Sequence, residues 1–160
     1  MKSFKLLKLD DLESVLSFVL KYNDEFNEFI KAGWNFESLK NHLKKTNSVS
    51  LAYYEKNDLS GLMIGETIDF KDGLSLELHI IFVPKKSRRK MIGTNILQFI
   101  ENKITPNITK IYLEVAENNV GAIQFYLKNN FVFSRIRHNY YKNNGKLINA
   151  KCYYKKINGQ

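Results

Sequence analysis

At 160 residues, 44% of them apolar, the chain has the size of one domain and enough apolar surface to build a core. Twenty-five Lys and Arg against 16 Asp and Glu give a net charge of +9, which favours anionic partners such as nucleic acid or a phosphorylated cofactor. A single cysteine, Cys152, excludes an internal disulfide, and His42, His79 and His138 lack the spacing of a zinc motif, so neither thiol nor metal chemistry is expected.

The N-terminal stretch "MKSFKLLKLDDLES" has charge interrupting its apolar residues, and no run of about 18 apolar residues follows anywhere, so neither a signal peptide nor a membrane span is predicted. A single domain over 1–160 with a cytoplasmic location is the expectation. "SFKLLKL" (Ser3 to Leu9) alternates as a strand does, and Asp10 or Asp11 can cap a helix with the stripe Leu12, Val15, Leu16, Val19. Asn35 caps a second helix carrying Phe36, Leu39 and Leu43, while Asn23 to Trp34 between the helices is assigned as a loop. Two β-rich runs surround Lys56 to Asp58, and Leu74 to Val83 forms a third, increasingly apolar one.

A helix with Ile92, Ile96, Leu97 and Ile100 on one face follows, ending near Thr105 and Pro106. Lys110 to Val115 is a strand, Asn118 to Asn130 a capped helix, and the last segment a hairpin turning at Asn144-Gly145. The order β-α-α-β-β-β-α-β-α-β-β, with a strand–helix–strand crossover in its middle, implies a mixed α/β (α+β) fold: a mostly antiparallel seven-stranded sheet with one parallel pair and about four helices.

The segment "VPKKSRRKMIGTNIL" joins a strand to a helix and places five cations, Lys85, Lys86, Arg88, Arg89 and Lys90, at the helix start. Free amides and a positive dipole end suit a phosphate there. A Walker loop or a three-glycine dinucleotide fingerprint is absent.

This segment resembles the acyl-coenzyme-A loop of the GCN5-related N-acetyltransferases, with Arg88, Met91 and Gly93 on the family's Arg-x-x-Gly-x-Gly positions. "LEVAENNVGAIQFYLKNNFVF" is similar to the family's second signature, and the element order agrees, so the resemblance covers nearly the whole chain. "FSRIRHNYYKNNGKLINAK" and "GWNFESLKNHL" resemble the bacterial ribosomal-protein-alanine N-acetyltransferases in particular. Two positions depart from the family: Met91 replaces a glycine, which sets a side chain beside the pyrophosphate, and Asn129-Asn130 replaces the glycine before Phe131.

The resemblance implies acetyl-CoA as cofactor, held by Phe82, Val83, Arg88, Arg89, Lys90, Met91, Ile92, Gly93, Thr94, Asn119 and Tyr126. It implies that Tyr126 protonates the departing thiolate and that Glu114, the odd charge in the apolar strand "YLEV", is the general base. Glu77 and His79, on one face of "LSLELHIIF", are rival bases. Trp34, Arg137, Tyr140 and Tyr141 are the expected acceptor-binding residues, the tyrosines flanking an extended peptide backbone. The acceptor expected is the N-terminal α-amine of a ribosomal protein or other peptide. An α-amine with a pKa near 8 is about 3 kcal/mol easier to deprotonate than a lysine near 10.4. Alternatives are a small amine acceptor (amino acid, polyamine, aminoglycoside) or an inactive member of the fold that binds nucleic acid or acts as a sensor. Nucleic acid is otherwise expected only through a ribosomal context. Monomer and homodimer both stay open.

Overall fold

The computed structural model describes residues 1–104 and 107–157. Its elements are β1 (Lys2–Leu6), α1 (Leu12–Lys21), α2 (Asn23–Lys31), α3 (Phe36–Lys44), β2 (Ser48–Glu55), β3 (Asp58–Phe70), β4 (Gly73–Phe82), α4 (Ile92–Phe99), β5 (Ile108–Ala116), α5 (Val120–Lys128), β6 (Val132–Asn143) and β7 (Lys146–Lys156). Seven strands form one sheet in the order β1-β2-β3-β4-β5-β7-β6, antiparallel throughout except for the parallel pair β4–β5. This is the mixed architecture expected from the element order.

The helix count differs by one. The segment Asn23 to Trp34, expected to be a loop, contains α2. Its signal is short: Phe26, Phe29 and Ile30 sit at helical spacing among acidic and amide residues, and Phe26 is fully buried against the ring of Phe82. After Phe99 the chain continues in a π turn, Ile100–Ile104, and the helix end expected at Thr105 and Pro106 lies outside the described residues.

Two apolar layers sandwich the sheet. Helices α4 and α5 pack on one face against Leu76, Leu78, Ile111, Leu113 and Val115; α1, α2 and α3 pack on the other against Leu62, Ile64, Ile80 and Phe82. Strand β4 thus changes sides: Leu76 and Leu78 belong to one layer, Ile80 and Phe82 to the other. A bulge explains the switch, because Ile64 opposes Ile80 while Gly65 opposes Leu78, leaving His79 as the extra residue. The close approach needs Gly65, since a Cβ there would lie 2.7 Å from the Glu77 carbonyl oxygen.

The pairing of β4 with β5 runs only from Leu74–Ile108 to Leu78–Leu113, although β4 continues to Phe82 and β5 to Ala116. The two strands therefore part beyond Leu78, and their facing backbone groups meet no strand partner across the gap. Tight hairpin turns carry the left-handed backbone that two-residue loops require, at Lys56 and Asn57 (φ 48° and 73°) and at Asn144 and Gly145 (φ 48° and 77°).

Candidate active site

The gap between β4 and β5 opens toward the loop and helix that follow β4. Strand β4 ends at Phe82, whose side chain is buried among Phe18, Tyr22, Phe26 and Phe29. The loop is pinned from outside: Arg88 Nε donates to the Val83 carbonyl (3.0 Å), and Glu25 Oε2 on α2 accepts from the Lys85 amide (2.7 Å) and lies 3.8 Å from Arg88 Nη2. Arg88 thus has protein partners while its side chain stays half exposed, and Glu25 is a contact that no local sequence signal announced. Arg89 is exposed on the loop, whereas Lys90 borders a cavity on the side of the β2–β3 hairpin.

Helix α4 starts differently from its neighbours. The Asn35 side chain accepts from the Ser38 amide (3.0 Å) at the start of α3, and Asn119 accepts from the Ala122 amide (3.2 Å) at the start of α5. At α4 the capping position is Met91, which offers no acceptor, and the first intrahelical bond is the Asn95 amide to the Met91 carbonyl (2.8 Å). The amides of Ile92, Gly93 and Thr94 precede that bond, so the helix start next to the gap lacks a side-chain cap, as the starts of α1 and α2 also do. Arg89 and Met91 both have left-handed backbone, φ 62° and 63°, a turn form that aims successive amides into a concavity.

Met91 takes at φ 63° a conformation that glycine adopts without cost, and its side chain is 62% exposed. Met91→Gly should therefore raise stability by about 1 kcal/mol in a urea titration and hold or tighten acetyl-CoA binding by calorimetry. A large loss of affinity would show that the methionine makes a contact of its own.

Ile92 points into the core, while Gly93 meets α5 directly: a Cβ on it would lie 2.9 Å from Phe125 Cζ. Gly93→Ala should cost about 1–3 kcal/mol in the same titration through overpacking. An unchanged midpoint would show that Phe125 yields freely.

The acid–base candidates gather beyond the gap. Glu114 on β5 accepts from Arg137 Nη1 on β6 (2.6 Å), and Cys152 Sγ on β7 lies 3.8 Å from the same Oε1. Arg137 in turn covers the Tyr140 ring, 4.0 Å from its centroid. Irregular pairing makes this possible. Arg137 opposes Ala150 but Tyr141 opposes Ile148, with Asn139 left-handed (φ 54°), its amide held by Asn149 Oδ1 (3.0 Å).

Burial and then the charge of Glu114 raise the Tyr140 phenol above its ordinary value, with Glu77 acting in the same direction. Tyr141 is pushed up to about 12, chiefly by burial and then by Glu114. Tyr126 on α5 is buried between Phe125 and Phe131, and burial, followed by Tyr141, lifts its phenol well above the usual range. Glu114, Arg137, Tyr140 and Tyr141 thus form one connected group, on which Glu77 acts from its edge, while Tyr126 feels Tyr141 electrostatically. Asn119 serves as a helix cap, and Asn130 ends α5 in the left-handed conformation (φ 65°) expected where family members carry glycine.

Trp34 lies in another cluster. Its ring packs edge-on to His42 (5.3 Å) and tilted to His79 (5.2 Å). His79 Nε2 pairs with Glu66 Oε1 (3.1 Å), Lys45 Nζ with Glu66 Oε2 (2.8 Å), and His42 Nε2 with the Gly65 carbonyl (2.8 Å). The fold thus joins two histidines far apart in sequence: potential ligand atoms of His42, Glu66 and His79 lie within 4.8 Å of one another. Protein donors take up both carboxylate oxygens of Glu66. Burial depresses the His42 imidazole below its ordinary value. For Glu66 burial acts upward, and the Lys45 and His79 hydrogen bonds outweigh it, leaving the carboxyl below its usual range.

No helix of the described residues is long and apolar enough to cross a membrane. Among curated proteins none shows a significant sequence match. Solved structures do share the fold. Arabidopsis thaliana NAA60 in complex with acetyl-CoA superposes with a TM-score of 0.79 at 18% identity, covering 99% of this chain and 100% of that one. The Escherichia coli ribosomal-protein-S18-alanine N-acetyltransferase gives 0.76 at 18%, covering 98% and 94%. An N-acetyltransferase from Staphylococcus aureus Mu50 gives 0.77 at 20%, covering 98% of each chain. The family described as the acetyltransferase (GNAT) domain matches residues 4–151, so that, with its parted parallel strands and the uncapped helix start beside them, the chain belongs to the GNAT acetyltransferase family.

Proposed function

We propose that this acetyltransferase moves the acetyl group of acetyl-CoA to the N-terminal α-amine of a ribosomal protein or another peptide, in the cytoplasm. The observation that carries the reading is the uncapped start of α4 beside the β4–β5 gap, with the Glu114–Tyr141–Tyr126 group beyond it. The residues present suit the cofactor. Amides of Ile92, Gly93 and Thr94 with Arg89 nearby suit a pyrophosphate, and the β5-facing edge of β4 beyond Leu78, up to Phe82, suits an amide-bearing arm. Acetyl-CoA supplies an activated acyl thioester, so the chain itself needs only to orient the amine and to manage two protons.

Glu114 takes the amine's proton, directly or through a water. Its Oε1 is fixed by Arg137, which sets the direction in which the carboxylate works. The raised phenol of Tyr126 stays protonated through the neutral range and is a donor for the departing thiolate. Tyr140 and Tyr141 border the space where the acceptor backbone would lie, and Trp34, through His79, shapes the β4 side. Incubation with acetyl-CoA and peptides that each contain a lysine tests the reading. Mass spectrometry should place the added acetyl on the α-amine; acetylation of lysine side chains or of small amines alone would overturn it.

A further inference from the structure

Five lysines from separate parts of the chain converge on one cavity of about 510 Å³: Lys2 on β1, Lys21 at the end of α1, Lys56 in the β2–β3 turn, and Lys86 and Lys90 in the loop before α4. Among the described residues none of their ammonium groups lies within 4.0 Å of a carboxylate. The other lining groups include two acids, Glu55 and Asp58, so the wall holds three more positive charges than negative ones. Tyr22 stands among them with two cations on its ring, Lys86 Nζ at 5.4 Å from the centroid and Lys21 Nζ at 5.7 Å.

The loop backbone that carries Lys86 and Lys90 is held by Glu25 and by the left-handed residues Arg89 and Met91, and Lys86 also meets the Tyr22 hydroxyl, so the two lysines are rooted on a fixed base at the cavity wall. The arrangement suits a compact ligand of high negative charge. Lys90, expected from the sequence to contact the coenzyme, is exposed and also lines this cavity. We infer that the cavity is a second anion site, which takes a small phosphate-bearing ligand, of the charge class of inorganic pyrophosphate or a nucleotide's phosphate chain, separately from the coenzyme. The inference goes beyond the proposed reaction. Since Lys86 and Lys90 sit on the back of the coenzyme loop, occupancy would bear on that loop.

The probe is inorganic pyrophosphate, titrated by calorimetry into the protein alone and into the protein saturated with acetyl-CoA. Acetyl-CoA is titrated on the same samples, so that a failure to bind coenzyme, which would count against the proposed function, is seen separately from a failure at the cavity. Pyrophosphate should bind in both states, more weakly as salt rises. The double variant Lys21→Glu, Lys56→Glu should weaken it at least about tenfold, the effect of losing charge-assisted contacts, with acetyl-CoA affinity unchanged. Lys21→Gln and Lys56→Gln, which remove charge without reversing it, should weaken it in the same direction. Loss of pyrophosphate binding once acetyl-CoA is bound would make the cavity part of the coenzyme site and overturn the proposal. Equal binding by all variants would overturn it too.

Discussion

Tyr126→Phe should lower kcat by about 10²-fold to 10⁴-fold, the range for losing a general acid, while acetyl-CoA affinity barely moves. The substitution removes one hydroxyl and keeps the ring between Phe125 and Phe131, so the thermal midpoint should also stay put. The phenol carries its proton at every pH near neutrality, as a general acid must, and burial, which weakens it as an acid, means that transfer relies on the strong basicity of the departing thiolate. The sign can be checked at high pH. A buried phenol raised above its unfolded value contributes stability that is full below pH 10 and declines as the pH rises, and for Tyr141 that decline runs from about 10 through about 12. Full activity in Tyr126→Phe would remove the tyrosine from the mechanism.

Glu114→Gln should reduce kcat by about 10²-fold or more and remove the acidic limb of the pH–rate profile, because the base must be ionised and the amine neutral. The amide keeps an oxygen for the Arg137 hydrogen bond, which holds the local geometry while the charge is lost. Glu77→Gln is the informative partner variant. It occupies the neighbouring strand, opposite Tyr112 two residues before Glu114, and acts on the same Tyr140. Should Glu77→Gln lose the limb and the rate while Glu114→Gln keeps both, the base is Glu77.

Periodicity made most of the fold legible. Strands with alternating or continuous apolar runs, the crossover through α4 and the turn at Asn144-Gly145 all fall where the residues indicated, since each depends on local spacing and turn chemistry. Helix α2 escaped because its apolar stripe is three residues long and follows α1 after one residue, Tyr22. The bulge at His79 has no local signature beyond Gly65, which lies on a different strand, so the switch of Ile80 and Phe82 to the other layer was hidden.

For the site, the loop was visible because helix start, glycine and cations are contiguous. The Arg137–Glu114 pair, the Glu25 clamp and the His42–Glu66–His79 cluster join residues 23, 60 and 37 positions apart, which the sheet order and the packing of α2 and α3 on the sheet bring together. Arg88 stands on the family pattern and also contacts Val83 and Glu25, a pairing that no motif announces.

The most direct measurement is thiol release from acetyl-CoA by the unaltered protein, followed with paired peptides that differ only in whether the N-terminal amine is free or blocked. Release should require the free α-amine and disappear with the blocked peptide, even when that peptide retains lysines. Equal release with both, or release with polyamines and aminoglycosides but with no peptide, would contradict the account.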